Sequence, residues 1–219
     1  MGLSDITVVA TCYGDYWETF HESWRSAIVA LDPAPAQVIL VTDVPRPVPG
    51  VTNIVIGPAH MADYWMVGAL AASTTWVALS GFDDVWETDA MAPFDTDADV
   101  YGFPVRMSGL MSGPFAYTGG FETICHVGHN PMLGDFFYRR DLLERLPLRR
   151  IGYMDWAHFA EMSHFGYRFD AGGPVRASKL RHPAAFSLVN DPTCQREIDD
   201  FKARLNAGLI DEGVPEWRS

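Results

Sequence analysis

At 219 residues with 48% hydrophobic and 20% charged content, the chain has the make-up of one domain large enough to bury a sizeable core, and collagen, coiled coil and wholesale disorder are excluded. Its net charge of −12 is uneven: residues 1–134 hold 3 Lys/Arg against 15 Asp/Glu, residues 135–182 hold 9 against 6, and residues 183–219 hold 4 against 7. So acidic a chain is a poor partner for nucleic-acid phosphates; residues 139–181 alone could hold a polyanion, and a solvated face is the plainer reading there. Apolar runs of four or five residues, such as those at 6–10 and 38–41, fall far short of the roughly 18 needed to span a bilayer. No signal peptide is visible, so a cytoplasmic location is expected. Cys12, Cys125 and Cys194 are odd in number and widely spaced, which is neither a disulfide framework nor a paired metal site.

The first half alternates strands and helices. Residues 5–11 are a β-branched run that predicts a buried strand. Trp17, Phe20, Trp24, Ala27, Ile28 and Leu31 then recur at helical spacing up to Asp32-Pro33. Residues 37–42 and 53–56 predict two further strands separated by the Pro-rich loop 45–50, residues 61–72 a helix, and residues 76–79 a fourth strand. Such alternation implies βαβ units and a mostly parallel sheet.

The second half is less regular. Residues 100–105 predict a strand, but 107–121 contain Gly109, Gly113, Pro114, Gly119 and Gly120, which predicts a long mobile loop of the kind that serves as an active-site lid. A strand at 135–138 runs into a helix at 140–146, a second helix covers 155–165, and 167–169 predict a short strand after Gly166. From Thr193, the residues Cys194, Ile198, Phe201, Leu205 and Leu209 form a closing helical stripe. No repeat or linker divides the chain.

The segment most informative for chemistry is 76–91, where an apolar strand runs straight into Asp83 and Asp84. Two adjacent acids at the carboxyl end of a strand stand where open α/β sheets bind ligands. Their hard oxygens suit Mg²⁺ or Mn²⁺ bridging to substrate phosphates, although an Asp-rich turn can also simply end a strand. Beyond the pair come Val85, Trp86, Asp89 and Met91. The whole resembles the central motif of the family-two glycosyltransferases of the GT-A fold: an apolar strand, an Asp-x-Asp-Asp cluster, a hydrophobic-aromatic pair and a further Asp before an apolar residue. Four other segments are similar to that family in the same order: residues 6–13 to its opening strand and nucleotide turn, 38–43 to its second strand ending in an acid, Met154-Asp155-Trp156 with Gly166-Tyr167-Arg168-Phe169 to its Glu-Asp motif and exit, and 181–187 to the basic, His-containing segment that follows.

The resemblance spans roughly residues 5–187. It implies a single α/β, GT-A-like (Rossmann-like) domain over 1–219, with a mostly parallel central sheet and helices on both faces. Residues 1–105 would be the nucleotide-sugar half, 106–190 the acceptor-binding and catalytic half, and 191–219 a C-terminal helix and tail. The implied activity is metal-dependent, inverting, hexosyltransferase-like transfer from a nucleotide-diphosphate sugar to the hydroxyl of a glycan, glycolipid or small molecule, with Mg²⁺ or Mn²⁺ as cofactor. Asp83 and His182 would hold the metal, with Asp84 beside it on the donor; Thr11, Tyr13 and Asp43 would contact the nucleotide, Arg181 the diphosphate, and Asp155 would be the general base. Two positions depart from the family pattern: Gly81 replaces the first acid of the Asp-x-Asp motif, and Met154 the Glu before Asp155.

Alternatives stay open at this point. Asp155 could be a helix N-cap. The chain could be a catalytically degenerate nucleotide- or glycan-binding protein, or a transferase acting on a hydroxylated base in nucleic acid. A nucleotidyltransferase would carry a basic Gly-rich loop after its first strand, and residues 11–17 contain no Lys or Arg. Cys125, His126 and His129 lack the second pair a zinc finger needs. His158 could face an acceptor pocket or pack within its helix, and of the Trp residues Trp65, Trp86 and Trp156 stand nearest the expected cleft, though packing accounts for most aromatic residues.

Overall fold

A computed structural model describes residues 4–109, 113–115, 135–181 and 192–213. Strand β1 (Ser4–Cys12) is central, with β2 (Pro35–Thr42) and β4 (Trp76–Gly81) parallel on either side and β3 (Thr52–Val55) parallel to β2. β9 (Asp135–Arg139) enters antiparallel between β4 and β6 (Val100–Phe103), and β10 (Phe169–Ala171) adds parallel to β6, giving the order β10-β6-β9-β4-β1-β2-β3. The expected single α/β domain with a mostly parallel sheet is what folds.

Because side chains alternate along a strand, β1 and β2 feed two cores. Ala10, Cys12, Val38 and Leu40 pack with Phe20 and Trp24 of α1 (Tyr16–Val29), while Val9, Ile39 and Val41 lie in the cluster that also takes residues of α2 (Met61–Ala71), α3 (Arg140–Arg145), α4 (Met154–His164) and α5 (Pro192–Asn206). Gly68 lets α2 settle on the sheet: a Cβ there would stand 2.3 Å from Val9 Cγ1 and 3.0 Å from Val41 Cγ2. No described helix is long and apolar enough to cross a membrane.

A second sheet, β5-β11-β7-β8, is built from β5 (Asp84–Trp86), β11 (Ala177–Arg181), β7 (Val105–Gly109) and β8 (Gly113–Phe115). Trp86, Val105, Met107 and Ala177 pack with Ile6, Val8, Ala78 and Phe137 of the main sheet. The structure corrects several sequence expectations here. The strand over 100–105 is two strands in different sheets, divided at Pro104, which has no N–H for a ladder. Of the expected loop 107–121, β7 and β8 form a hairpin in register Val105↔Phe115, Arg106↔Pro114, Met107↔Gly113; Gly and Pro are tolerated there because β8 is an edge strand. Residues 110–112 and 116–121 lie outside the described residues, as do Cys125, His126 and His129. The strand expected at 167–169 starts only at Phe169, opposite Val100, because the Arg168 carbonyl is taken by the Asp99 and Val100 N–H groups. α5 ends at Asn206, which leaves Leu209 exposed and Ile210 buried in its place.

Candidate functional site

The parallel strands β1, β2 and β4 end along one edge, where Thr11, buried, is in register with Val41 and Gly81. Tyr13 follows β1, and its ring lies 5.7 Å from that of Tyr16 and 5.6 Å from that of Tyr64. Tyr16 opens α1 and Tyr64 lies in the first turn of α2, so three phenols from three elements line this edge. Burial, then the charge of Asp83, raises the hydroxyl pKa of Tyr13 and carries that of Tyr16 to about 12; burial, then Asp43, raises that of Tyr64.

Asp43 follows β2. Its Oδ2 accepts the Gly14 N–H at 3.1 Å, and Arg46 Nη2 donates to the Gly14 carbonyl at 3.1 Å while standing 3.8 Å from Asp43 Oδ1. That Oδ1 is buried and accepts no hydrogen bond among the described residues. The Arg46 guanidinium also lies 5.2 Å over the Trp17 ring. Arg46 escaped the sequence reading, since a basic residue in a Pro-rich loop has no pattern; its one signal is scarcity, as one of three in residues 1–134.

Gly81 ends β4 and Asp84 opens β5. Asp84 Oδ2 accepts the Gly81 N–H at 2.8 Å and the Lys179 ammonium at 3.5 Å; Lys179 is the register partner of Asp84 across β11 and β5. The same ammonium stands 3.4 Å from Oδ2 of Asp135, the first residue of β9. Burial raises the pKa of both acids, Asp135 to about 7, and in each case Lys179 opposes the rise. Lys179 and Asp135 were not among the sequence candidates: strand pairings far apart in sequence bring them here.

Gly81 stands where the family motif has its first acid, and the two carboxylates close over it. A Cβ on Gly81 would be 2.6 Å from Asp83 Oδ1 and 3.1 Å from Asp84 Oδ2, so both acids turn toward one point. Among the described residues no three metal-ligating side chains gather. Mg²⁺-type sites at nucleotides are commonly held by one or two carboxylates and completed by substrate phosphates, and this pair fits such a donor set.

Asp155 is exposed in the first turn of α4, where its charge favours the helix dipole. The N-cap is Tyr153, in left-handed backbone with φ 54°, so Asp155 is not the cap. Its charge and that of Asp135 both act on the buried Tyr138 hydroxyl, whose pKa burial drives well up. Thus Tyr13, Asp43, Asp83 and Asp84 lie at one edge of the sheet, while Asp155 stands apart at the start of α4. Arg181 ends β11 in register with Gly109; His182 lies outside the described residues.

Other candidates resolve into packing. His158 is buried, stacks on Tyr138 and bonds the Leu146 carbonyl at 3.0 Å; Trp86 and Trp156 are core residues; and Cys12 is a buried thiol with its pKa pushed to about 12, chiefly by burial. Most arginines of the basic stretch are paired within the fold: Arg140, Arg145, Arg149, Arg150 and Arg168 pair with Glu144, Asp141, Glu161, Asp63 and Asp97, and Arg139 and Arg176 bond backbone carbonyls.

Comparison with solved structures matches the fold over nearly its whole length. S. aureus TarS (1-349) in complex with UDP-GlcNAc aligns with TM-score 0.65 and 12% identity over 93% of this chain and 71% of its own. Mannosyltransferase PcManGT from Pyrobaculum calidifontis, in complex with GDP-Man and Mn²⁺, aligns with TM-score 0.59 and 14% identity over 95% and 72%. The chain shares a GT-A-like fold with these two proteins. No family model and no curated protein matches it. Within the GT-A frame, the acids at the end of β4 stand where parallel-sheet folds take their ligands.

Proposed function

We propose that the protein is an inverting glycosyltransferase that moves a sugar from a nucleoside-diphosphate donor to an acceptor hydroxyl. The observation that carries this reading is the convergence of Asp43, Asp83 and Asp84, walled by Tyr13, Tyr16 and Tyr64, on the carboxyl edge of a GT-A sheet. Tyr13 and the Asp43–Arg46 pair take the nucleoside, with Thr11 fixing the end of β1 beneath it. Asp83, with Asp84 beside it and His182 completing the set, would hold Mg²⁺ or Mn²⁺, which when bound neutralises charge on the leaving diphosphate. Arg181 reaches the diphosphate. Asp155, exposed at the start of α4, takes the proton from the acceptor hydroxyl as that oxygen attacks the anomeric carbon from the face opposite the diphosphate. The acceptor is a glycan, glycolipid or small molecule; the internally paired arginines argue against nucleic acid.

A thermal-shift panel with UDP, GDP, CDP, dTDP and ADP, each with and without Mn²⁺, tests the donor site. Ligand at about 100 times its Kd adds roughly 2.7 kcal/mol of stability. One diphosphate is expected to raise the midpoint with metal in the parent and not in Asp83→Ala. No shift with any diphosphate would sink the reading, and binding without product from the matching sugar nucleotide would reduce the protein to a nucleotide-binding GT-A fold.

A further inference from the structure

Two buried carboxylates share one ammonium beside the end of β4, brought together from three strands. Asp83 and Asp84 follow β4, Asp135 begins β9 and Lys179 lies in β11. The Lys179 ammonium donates to Asp84 Oδ2 at 3.5 Å and stands 3.4 Å from Asp135 Oδ2. The side chains of Asp84 and Asp135 are 7% and 9% exposed, and the Lys179 ammonium is the cation beside both. Buried carboxylates need a nearby cation, and here the chain supplies its own.

The consequence concerns Asp84. It is the acid adjacent to Asp83, and its carboxylate turns to the same point above Gly81, yet it is held by Lys179 and the Gly81 N–H. A divalent cation arriving at Asp83 therefore meets a neighbouring carboxylate already satisfied, and an ammonium that repels it. Donor phosphates supply the oxygens and negative charge that Asp84 withholds.

We propose that Lys179 is a positioning residue that competes with the divalent metal for Asp84, so that metal binds weakly to the free protein and tightly only together with the donor diphosphate. This deepens the nucleotide-sugar reading and rests on it.

The test is a titration with Mn²⁺ alone, followed by electron paramagnetic resonance of the free ion, on the parent, Lys179→Met and Lys179→Arg, then repeated with the diphosphate that stabilises the parent. Lys179→Met is expected to bind Mn²⁺ alone about tenfold tighter or more, because a like charge beside the ion is gone and a carboxylate is released to it. Lys179→Arg, which keeps the charge, is expected to follow the parent. A merely structural lysine predicts the opposite, looser metal binding on substitution. Unchanged or weaker Mn²⁺ binding by a Lys179→Met that still melts cooperatively would overturn the proposal. Should Lys179→Met not fold, Asp135→Asn serves: with one competitor for the ammonium removed, Lys179 sits more firmly on Asp84, and Mn²⁺ alone is expected to bind more weakly than to the parent, with equal or tighter binding overturning the proposal. Failure of every diphosphate to bind the parent is a separate result that overturns the donor site while the Mn²⁺ comparison still reads the lysine.

Discussion

Arg149 meets Glu161 with both arms of its guanidinium, Nε donating to Oε2 at 2.9 Å and Nη2 to Oε1, in a pair whose side chains are 6% and 1% exposed. Glu161 lies on α4, two turns beyond Asp155, so the pair anchors the helix that carries the proposed base to the segment after α3. Removing one partner of a buried ion pair leaves a charge without compensation and costs about 3–5 kcal/mol. Glu161→Ala is expected to lose that much in denaturant unfolding, whereas Arg149→Met with Glu161→Leu should lose far less. Equal losses would mean that packing, not charge, sets the effect.

An acid introduced at Gly81 should harm the proposed donor site. An Asp at position 81 places its Cβ 2.6 Å from Asp83 Oδ1, too close for any contact, so Asp83 must turn away. Gly81→Asp is expected to weaken diphosphate binding in the presence of Mn²⁺, by about tenfold or more in calorimetry. A gain in affinity would show that the acids above Gly81 are not arranged as the donor site requires.

Asp155 is exposed and is not the α4 cap. Asp155→Asn should therefore change stability by no more than about 1 kcal/mol, the scale of a charge in the first turn of a helix. Loss of a general base costs about 10²–10⁴ in rate. A drop of that size in kcat with a melting midpoint moved by no more than about 4 °C and unchanged donor binding is the expected pattern, read by product formation and thermal melting.

His158 makes stability sensitive to acid. Burial, aided by Arg149, lowers its pKa from 6.5 to about 4, against the opposing bond to the Leu146 carbonyl. Among the described residues its buried Nδ1 has no hydrogen-bond partner, and the Leu146 carbonyl can only accept, so the neutral ring carries its proton on Nε2. Between pH 6.5 and 4 the unfolded chain binds a proton at this residue that the folded chain does not. Its contribution is thus fully present above pH 6.5 and falls through that window by about 3 kcal/mol. Urea melts from pH 7.5 to 4 should show a shallower fall for His158→Gln than for the parent; parallel curves would contradict the assignment.

The sequence made β1, α1, β2, β3, α2 and β4 legible because each has its own periodicity and punctuation: a β-branched run, an apolar stripe, a Pro-rich stop. The Asp83–Asp84 pair was legible for the same reason, being adjacent residues after an apolar strand. What stayed hidden is non-local. Nothing around Asp135 says that β9 runs antiparallel between β4 and β6, and nothing around Lys179 says that β11 pairs antiparallel with β5 and sets it opposite Asp84. Arg46 reaches the Gly14 carbonyl from a loop whose composition suggests only a turn. Glycine and proline at 109–114 suggested irregular backbone, whereas an edge hairpin accommodates them.

The place of β9 also governs how the molecule can be made. β4 and β6 are both finished by residue 103, yet neither pairs with the other; the gap between them is filled only by Asp135–Arg139. During synthesis, the chain up to β6 therefore leaves the ribosome with two open strand edges that wait for later chain, and the sheet closes late and through distant contacts. A break anywhere between β6 and β9 would divide the chain without giving either piece a complete sheet, so the strands before it and those after it stand or fall as one folding unit.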